Sequence, residues 1–293
     1  MFKGFGTALI TPFLENGAVD FDSLHRLVDF QLQGGVDALI LLGTTGESPV
    51  IQMEEREQII REVIAHVNQR IPVIVGTGAN DPVKVLHNNE QAERLGADGL
   101  LIVNPYYNKS TQNGLVVYYR YIAERSNLPI ILYNVPSRTG MNMMPDTIIA
   151  IHRDAQHIVA VKEACGSISQ IAELMAKKPA TLSVLSGNDD QTLPIMALGG
   201  HGVISVVSNV IPGIYKKLTS LLLQDQMKDA REIHHRVLKL TNLLFTETNP
   251  IPVKYAVHKL GLCQNIVRLP LVEASTATEK AIDQELSNLG ISS

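Results

Sequence analysis

Residues 158–165 read IVAVKEAC, four apolar residues, three of them β-branched, closed at once by a lysine. A run this short, bounded by polar residues, suits a strand buried on both faces better than a helix. Side chains alternate along a strand, so Lys162 and Ala160 share one face while Val159 and Val161 take the other, and Glu163 points away from Lys162. The amine then snorkels to a rim, pairs with an acid from another strand, or works where it stands.

Seven further β-rich runs recur along the chain: FGTALI (5–10), ALILLG (38–43), PVIVGTG (72–78), GLLIVN (99–104), PIILYN (129–134), LSVLSG (182–187) and GVISVV (202–207). Helical patterns lie between most of them, as in Ile59, Ile60, Val63, Ile64 and Val67 behind the acidic turn Glu54–Glu55. Asp81 followed by Pro82 reads as an N-cap and first helical position. Glycines at 34–35, 96 and 199–200 stand where a helix must turn into a strand. Eight strand–helix units favour a (β/α)8 TIM barrel over an open doubly wound sheet, which usually has fewer strands. Beyond residue 224 only helical patterns follow, with no low-complexity linker. The expected organisation is an α/β barrel over residues 1–224 that carries the site, with a helical appendage over 225–293 packed on it.

The 293 residues are 45% hydrophobic, ample for a large core. A formal charge of −4 gives no broad positive field, so neither nucleic acid nor an anionic membrane is an expected partner. Two cysteines, Cys165 and Cys263, are too few for a disulfide framework. The first residues, MFKGFGTALITPF, place Gly and Pro where a signal peptide needs a continuous apolar stretch, and no 18 apolar residues run together. A cytoplasmic location is expected.

In a barrel of this type the active site gathers at the C-terminal ends of the strands. There the chain places GTTGES (43–48), NPYYNK (104–109), YNVPSRTG (133–140), VKEA (161–164) and SGNDD (186–190). An ordinary lysine, with a pKa of about 10.4, is a poor nucleophile at neutral pH. Burial can depress a lysine pKa by up to about 3–5, freeing an amine to attack a ketone and form a Schiff base with loss of water. The protonated imine then eases loss of a neighbouring C–H proton. That chemistry needs a proton shuttle and no metal. Tyr133 is either that shuttle, with a partner such as Thr44, or a core tyrosine with a satisfied hydroxyl. Arg138 can hold a carboxylate bidentately or sit in solvent. Asp189 and Asp190 read as cap and first-turn acids of a helix, and His234 and His235 as surface residues. Dinucleotide, P-loop and HExxH motifs are absent, and no Cys/His cluster has zinc spacing.

GTTGE (43–47), YNVPSRTG (133–140), VKEA around Lys162, GGHGVISVVSNV (199–210) and NPIPVK (249–254) together resemble the dihydrodipicolinate synthase family of pyruvate-dependent class I aldolase-type barrels, in order and spacing over essentially the whole chain. The resemblance implies condensation of pyruvate with L-aspartate 4-semialdehyde in the diaminopimelate route to lysine. It implies imine formation with pyruvate at Lys162, with no other cofactor, and a proton relay of Tyr133, Thr44 and Tyr107, the last reaching across a subunit interface. Thr45 would hold the pyruvate carboxylate and Arg138 that of the semialdehyde, with Gly187 and Ile204 lining the pocket. A homotetramer built as a dimer of dimers is implied. Ser48, Asn80 and Tyr106 match a lysine regulatory site of feedback-sensitive members. Arg56 and Lys84 depart from it as two cations that would repel a diammonium ligand, so weak or absent lysine inhibition is expected. N-acetylneuraminate lyases and 2-keto-3-deoxy sugar-acid aldolases share the lysine and tyrosine and form the alternative, and a catalytically silent barrel with a binding or regulatory role is a third. Thr44–Thr45 with SRTG favours the synthase, since a second acidic substrate needs a cation.

Overall fold

The computed structural model describes residues 3–291. Eight parallel strands, β1 (Gly4–Ala8), β2 (Ala38–Leu41), β3 (Val73–Gly76), β4 (Gly99–Val103), β5 (Ile130–Asn134), β6 (Ile158–Glu163), β7 (Ser183–Ser186) and β8 (Gly202–Ser205), pair each with the next. β8 returns to β1, with Phe5 opposite Val203, and closes the barrel. Most of the apolar runs continue one or two residues past their strand, where the backbone leaves the ladder to form the loops of one rim.

Between the strands come α1 (Phe21–Gln33), α2 (Met53–Val67), α3 (Pro82–Arg94), α4 (Gln112–Ala123), α5 (Pro136–Thr139), α6 (Pro145–Asp154), α7 (Ile168–Lys177) and α8 (Thr192–Ala197), and α9 (Pro212–Leu223) follows β8. Asp81 caps α3 by accepting from the Val83 N–H at 2.9 Å, and Pro82 is its first residue, as expected. Gly96 turns the chain from α3 into β4 at φ +89°, a conformation a side chain would strain. The strands bury both faces. Leu39, Leu41, Val75, Leu132 and Val161 pack against the helices, while Ala8, Ile40, Ala160, Leu185 and Ile204 fill the barrel interior.

Val159 departs from simple alternation. Ile130 of β5 faces Ile158, but Ile131 faces Ala160, so β6 carries one extra residue at that point. Val159 consequently packs on the interior cluster and not beside Val161. Two further expectations need correction. Asp189 and Asp190 do stand in the first turn of a short 3-10 helix, but the cap position belongs to Asn188, and Asp189 is buried, accepting from the Ser205 hydroxyl at 2.5 Å and the Val206 N–H at 3.0 Å. His234 is half-buried, and burial pushes its imidazole below the ordinary value, while His235 is exposed.

Past residue 224 lie α10 (Met227–Leu243), α11 (Ile251–Lys259) and α12 (Thr276–Asn288). Ala230 of α10 packs with Leu218 and Leu222 of α9, and Val237, Leu240 and Val253 join the core that surrounds the strands. Among the described residues no helix is long and apolar enough to cross a membrane.

Candidate active site

β6 brings Lys162 to the C-terminal rim of the barrel, where strand register sets Tyr133 on one side and Leu185 on the other. The lysine is 5% exposed, and its Nζ lies 4.3 Å from the centroid of the Tyr133 ring. A cation over a ring face is stabilised by about 0.5–2 kcal/mol. A protonated imine at the same nitrogen would meet the same face. Gly187 explains how the lysine stem fits. A Cβ there would stand 2.8 Å from the Ala164 Cβ and 3.1 Å from the Lys162 Cγ. Ile204 of β8 is buried in the interior cluster with Tyr133 and Ala160.

Glu163 faces away from the amine, as strand alternation requires, and accepts from Asn134 Nδ2 at 3.0 Å and the Cys165 N–H at 2.8 Å. Burial pushes its carboxyl above the usual carboxylate range. Asn134 also receives the Met143 N–H at 2.9 Å, and the Tyr119 hydroxyl donates to Asn104 Oδ1 at 3.0 Å. With Asn104 Nδ2 donating to Asn134 Oδ1 at 3.4 Å, these groups fasten the ends of β4, β5 and β6 to one another behind Lys162 and Tyr133. Both thiols are free, and burial raises each, Cys165 and Cys263 alike, to about 12.

GTTG forms a short 3-10 turn, Thr44–Gly46, directly after β2, with Thr44 half-buried and Thr45 buried. Asn249 Nδ2 donates to Thr45 Oγ1 at 3.0 Å, and the Asn249 carbonyl accepts from Arg138 Nη2 at 3.2 Å. One asparagine therefore joins the two residues assigned to carboxylates. Asn249 opens NPIPVK and is not among the expected site residues, although a polar residue ahead of two prolines is a visible signal. Thr44 shares the turn but takes no part in these bonds. Tyr107 stands apart from Tyr133, 92% exposed, in a left-handed backbone at φ +72° that is uncommon for a residue with a side chain.

Ser48 opens the 3-10 turn Ser48–Val50, the Asn80 carbonyl accepts from Asn108 Nδ2 at 2.9 Å, and Tyr106 is 37% exposed. Lys84 is exposed, but Arg56 is not the surface cation expected. It is buried under the end of β3, where its Nη2 donates to the Gly76 carbonyl at 2.7 Å and desolvation lowers its guanidinium to about 10. Only one of the two cations faces solvent. No group of three His, Cys, Asp or Glu side chains is placed to hold a metal among the described residues.

The class that this fold and site fit is the imine-forming (β/α)8 barrel. The chain belongs to the dihydrodipicolinate synthetase family, which it matches over residues 1–289. It is 48% identical to the 4-hydroxy-tetrahydrodipicolinate synthase of Thermotoga neapolitana over 294 residues, covering 99% of this chain and 100% of the relative. The solved dihydrodipicolinate synthase of Thermotoga maritima superposes with a TM-score of 0.98 at 46% identity, with 99% of each chain covered. The chloride-inhibited enzyme of Acinetobacter baumannii, solved in complex with pyruvate, gives 0.97 at 38% identity, covering 99% of this chain and 100% of that one.

Proposed function

We propose that the chain is a 4-hydroxy-tetrahydrodipicolinate synthase that condenses pyruvate with L-aspartate 4-semialdehyde through an imine on Lys162, in the diaminopimelate route to lysine. The carrying observation is the Lys162 amine itself, 5% exposed inside the barrel and 4.3 Å from the Tyr133 ring, in a chain of this family.

The amine attacks the pyruvate ketone and water leaves, giving a protonated imine whose charge withdraws electrons from the methyl group. Loss of a methyl proton gives the enamine, whose carbon bonds to the semialdehyde carbonyl carbon, and the aldehyde oxygen takes up a proton. Attack of the semialdehyde nitrogen on the imine carbon then closes the ring and frees Lys162. Tyr133, Thr44 and Tyr107 move the protons. Thr45 holds the pyruvate carboxylate and Arg138 that of the semialdehyde, a pairing supported by the Asn249 bridge between them. An exposed guanidinium beside the site favours a second acidic substrate over the polyhydroxylated ones of sialic acid and sugar-acid aldolases. The imine is the electron sink, so the step calls for no separate cofactor. Exposure of Tyr107 supports its use across a subunit interface, with a dimer as the minimal unit and a dimer of dimers as the assembly. The division into a barrel over 1–224 and a helical region over 225–293, and a cytoplasmic location, belong to the same proposal.

Borohydride reduction in the presence of pyruvate, followed by peptide mass analysis, tests this reading. One reduced pyruvate on the peptide holding Lys162, together with condensation of the semialdehyde and no cleavage of sialic acid, is the expected result. An unchanged mass, or a label on another lysine, would sink it.

A further inference from the structure

GTTG is followed by Glu47, a residue with a side chain held in the left-handed region at φ +54° and only 3% exposed. That carboxylate is ion-paired to Lys254 of α11, which is fully buried, and also accepts the Arg268 backbone N–H at 2.9 Å. The Lys254 Nζ lies 4.2 Å from the centre of the Phe13 ring, and the Arg268 guanidinium lies 4.3 Å from the same ring. Arg268 continues to Val50, donating to its carbonyl at 2.9 Å, and to Glu55, whose carboxylate also receives the Gln52 N–H at 3.0 Å at the head of α2. Two carboxylates meet two cations around one aromatic ring.

A dry ion pair is a poor way to gain stability, because taking both charges from water offsets most of their attraction, and apolar replacements are often neutral or better. Burial accordingly pushes the Lys254 amine below its ordinary value against the pull of Glu47. What such a pair does supply is a unique geometry. Here it acts on the one loop that carries Thr44 and Thr45, and it comes from the same 249–254 segment whose Asn249 holds Thr45.

We infer that Lys254, through Glu47, is a positioning residue for the reaction, fixing the 43–47 loop so that its hydroxyls stand in register with the Lys162 imine. This rests on the reading of Thr44 and Thr45 given under the proposed function. Lys254 touches no substrate, and a misplacement of about 1 Å in such a loop can cost about 100-fold in rate.

The test compares wild type with Lys254→Met and with the double variant Glu47→Gln/Lys254→Met, reading the denaturation midpoint, kcat/KM, and the pyruvate concentration that half-saturates borohydride trapping at Lys162. Lys254→Met strands a buried carboxylate and loses both stability and activity. The double variant removes both charges and keeps a wild-type midpoint, yet its half-saturating pyruvate rises about 10-fold and kcat/KM falls about 10–100-fold. A double variant with wild-type kinetics overturns the inference. One that fails to fold does so too, since the pair would then serve the fold alone. If wild type traps no pyruvate on Lys162, the proposed function fails and the inference with it, whereas trapping in wild type with unaltered kinetics in the double variant removes only the inference.

Discussion

Gly187 makes the space in which Lys162 can lie folded away from water. A methyl group there would stand 2.8 Å from Ala164 and 3.1 Å from the lysine stem, and no flexible tip is available to give way. Gly187→Ala is expected to lower stability by about 1–3 kcal/mol through overpacking, which calorimetry would read. By displacing the amine it should cut kcat/KM by up to about 100-fold, more than the stability loss alone produces. Lys162 was legible in the sequence because a charge closing a β-branched run is conspicuous. Arg56 was not, because its helix reads as an ordinary amphipathic stretch and its burial comes from β3 passing beneath it. Lys254 was equally hidden. IPVKYAV reads as a helix with a lysine on it, and only the folded chain shows that every side of that helix is covered.

The strands were legible from runs of apolar residues, since burial on both faces leaves no polar alternation to misread. Their fine register was not. The extra residue in β6 depends on pairing with β5, which no local pattern states, and it moves Val159 to the interior. Burial of Asp189 is hidden for a related reason: an acid at the start of a helix usually serves its N-terminus, but here Ser205 at the end of β8 and Val206 just past it present a hydroxyl and an N–H that draw the carboxylate inward. Burial raises the Asp189 carboxyl above its ordinary value of about 3.8. The folded chain then holds this proton more tightly than the unfolded chain, so its contribution to stability is full below the unfolded pKa and is lost as pH rises through the folded one. Asp189→Asn cannot titrate. Denaturant melts from pH 4 to pH 8 should show the margin of wild type over the variant shrinking as pH rises, and a constant or growing margin would contradict the assignment.

The closed ring of strands makes the barrel complete within one chain, but Tyr107 stands 92% exposed, with no side-chain hydrogen bond among the described residues. If that phenol serves a neighbouring site, two separately inactive homomers can repair each other. Mixing Lys162→Ala with Tyr107→Phe, after dissociation and reassembly, should restore about a quarter of the sites, because half the dimers are mixed and each holds one intact site. No recovery would mean that Tyr107 serves its own barrel or none.

Glu47 waits for partners that stand 207 and 221 residues further along the chain, in Lys254 and Arg268. A ribosome makes them last, and domains take shape while synthesis proceeds. A nascent chain halted before residue 249 already owns all eight strands, Lys162 and the Thr11 hydroxyl that donates to the Gly46 carbonyl at 2.8 Å, but it lacks Asn249, Lys254 and Arg268, which hold Thr45 and Glu47. If Lys254 positions this loop as inferred, the site is completed only by the closing stretch of the message.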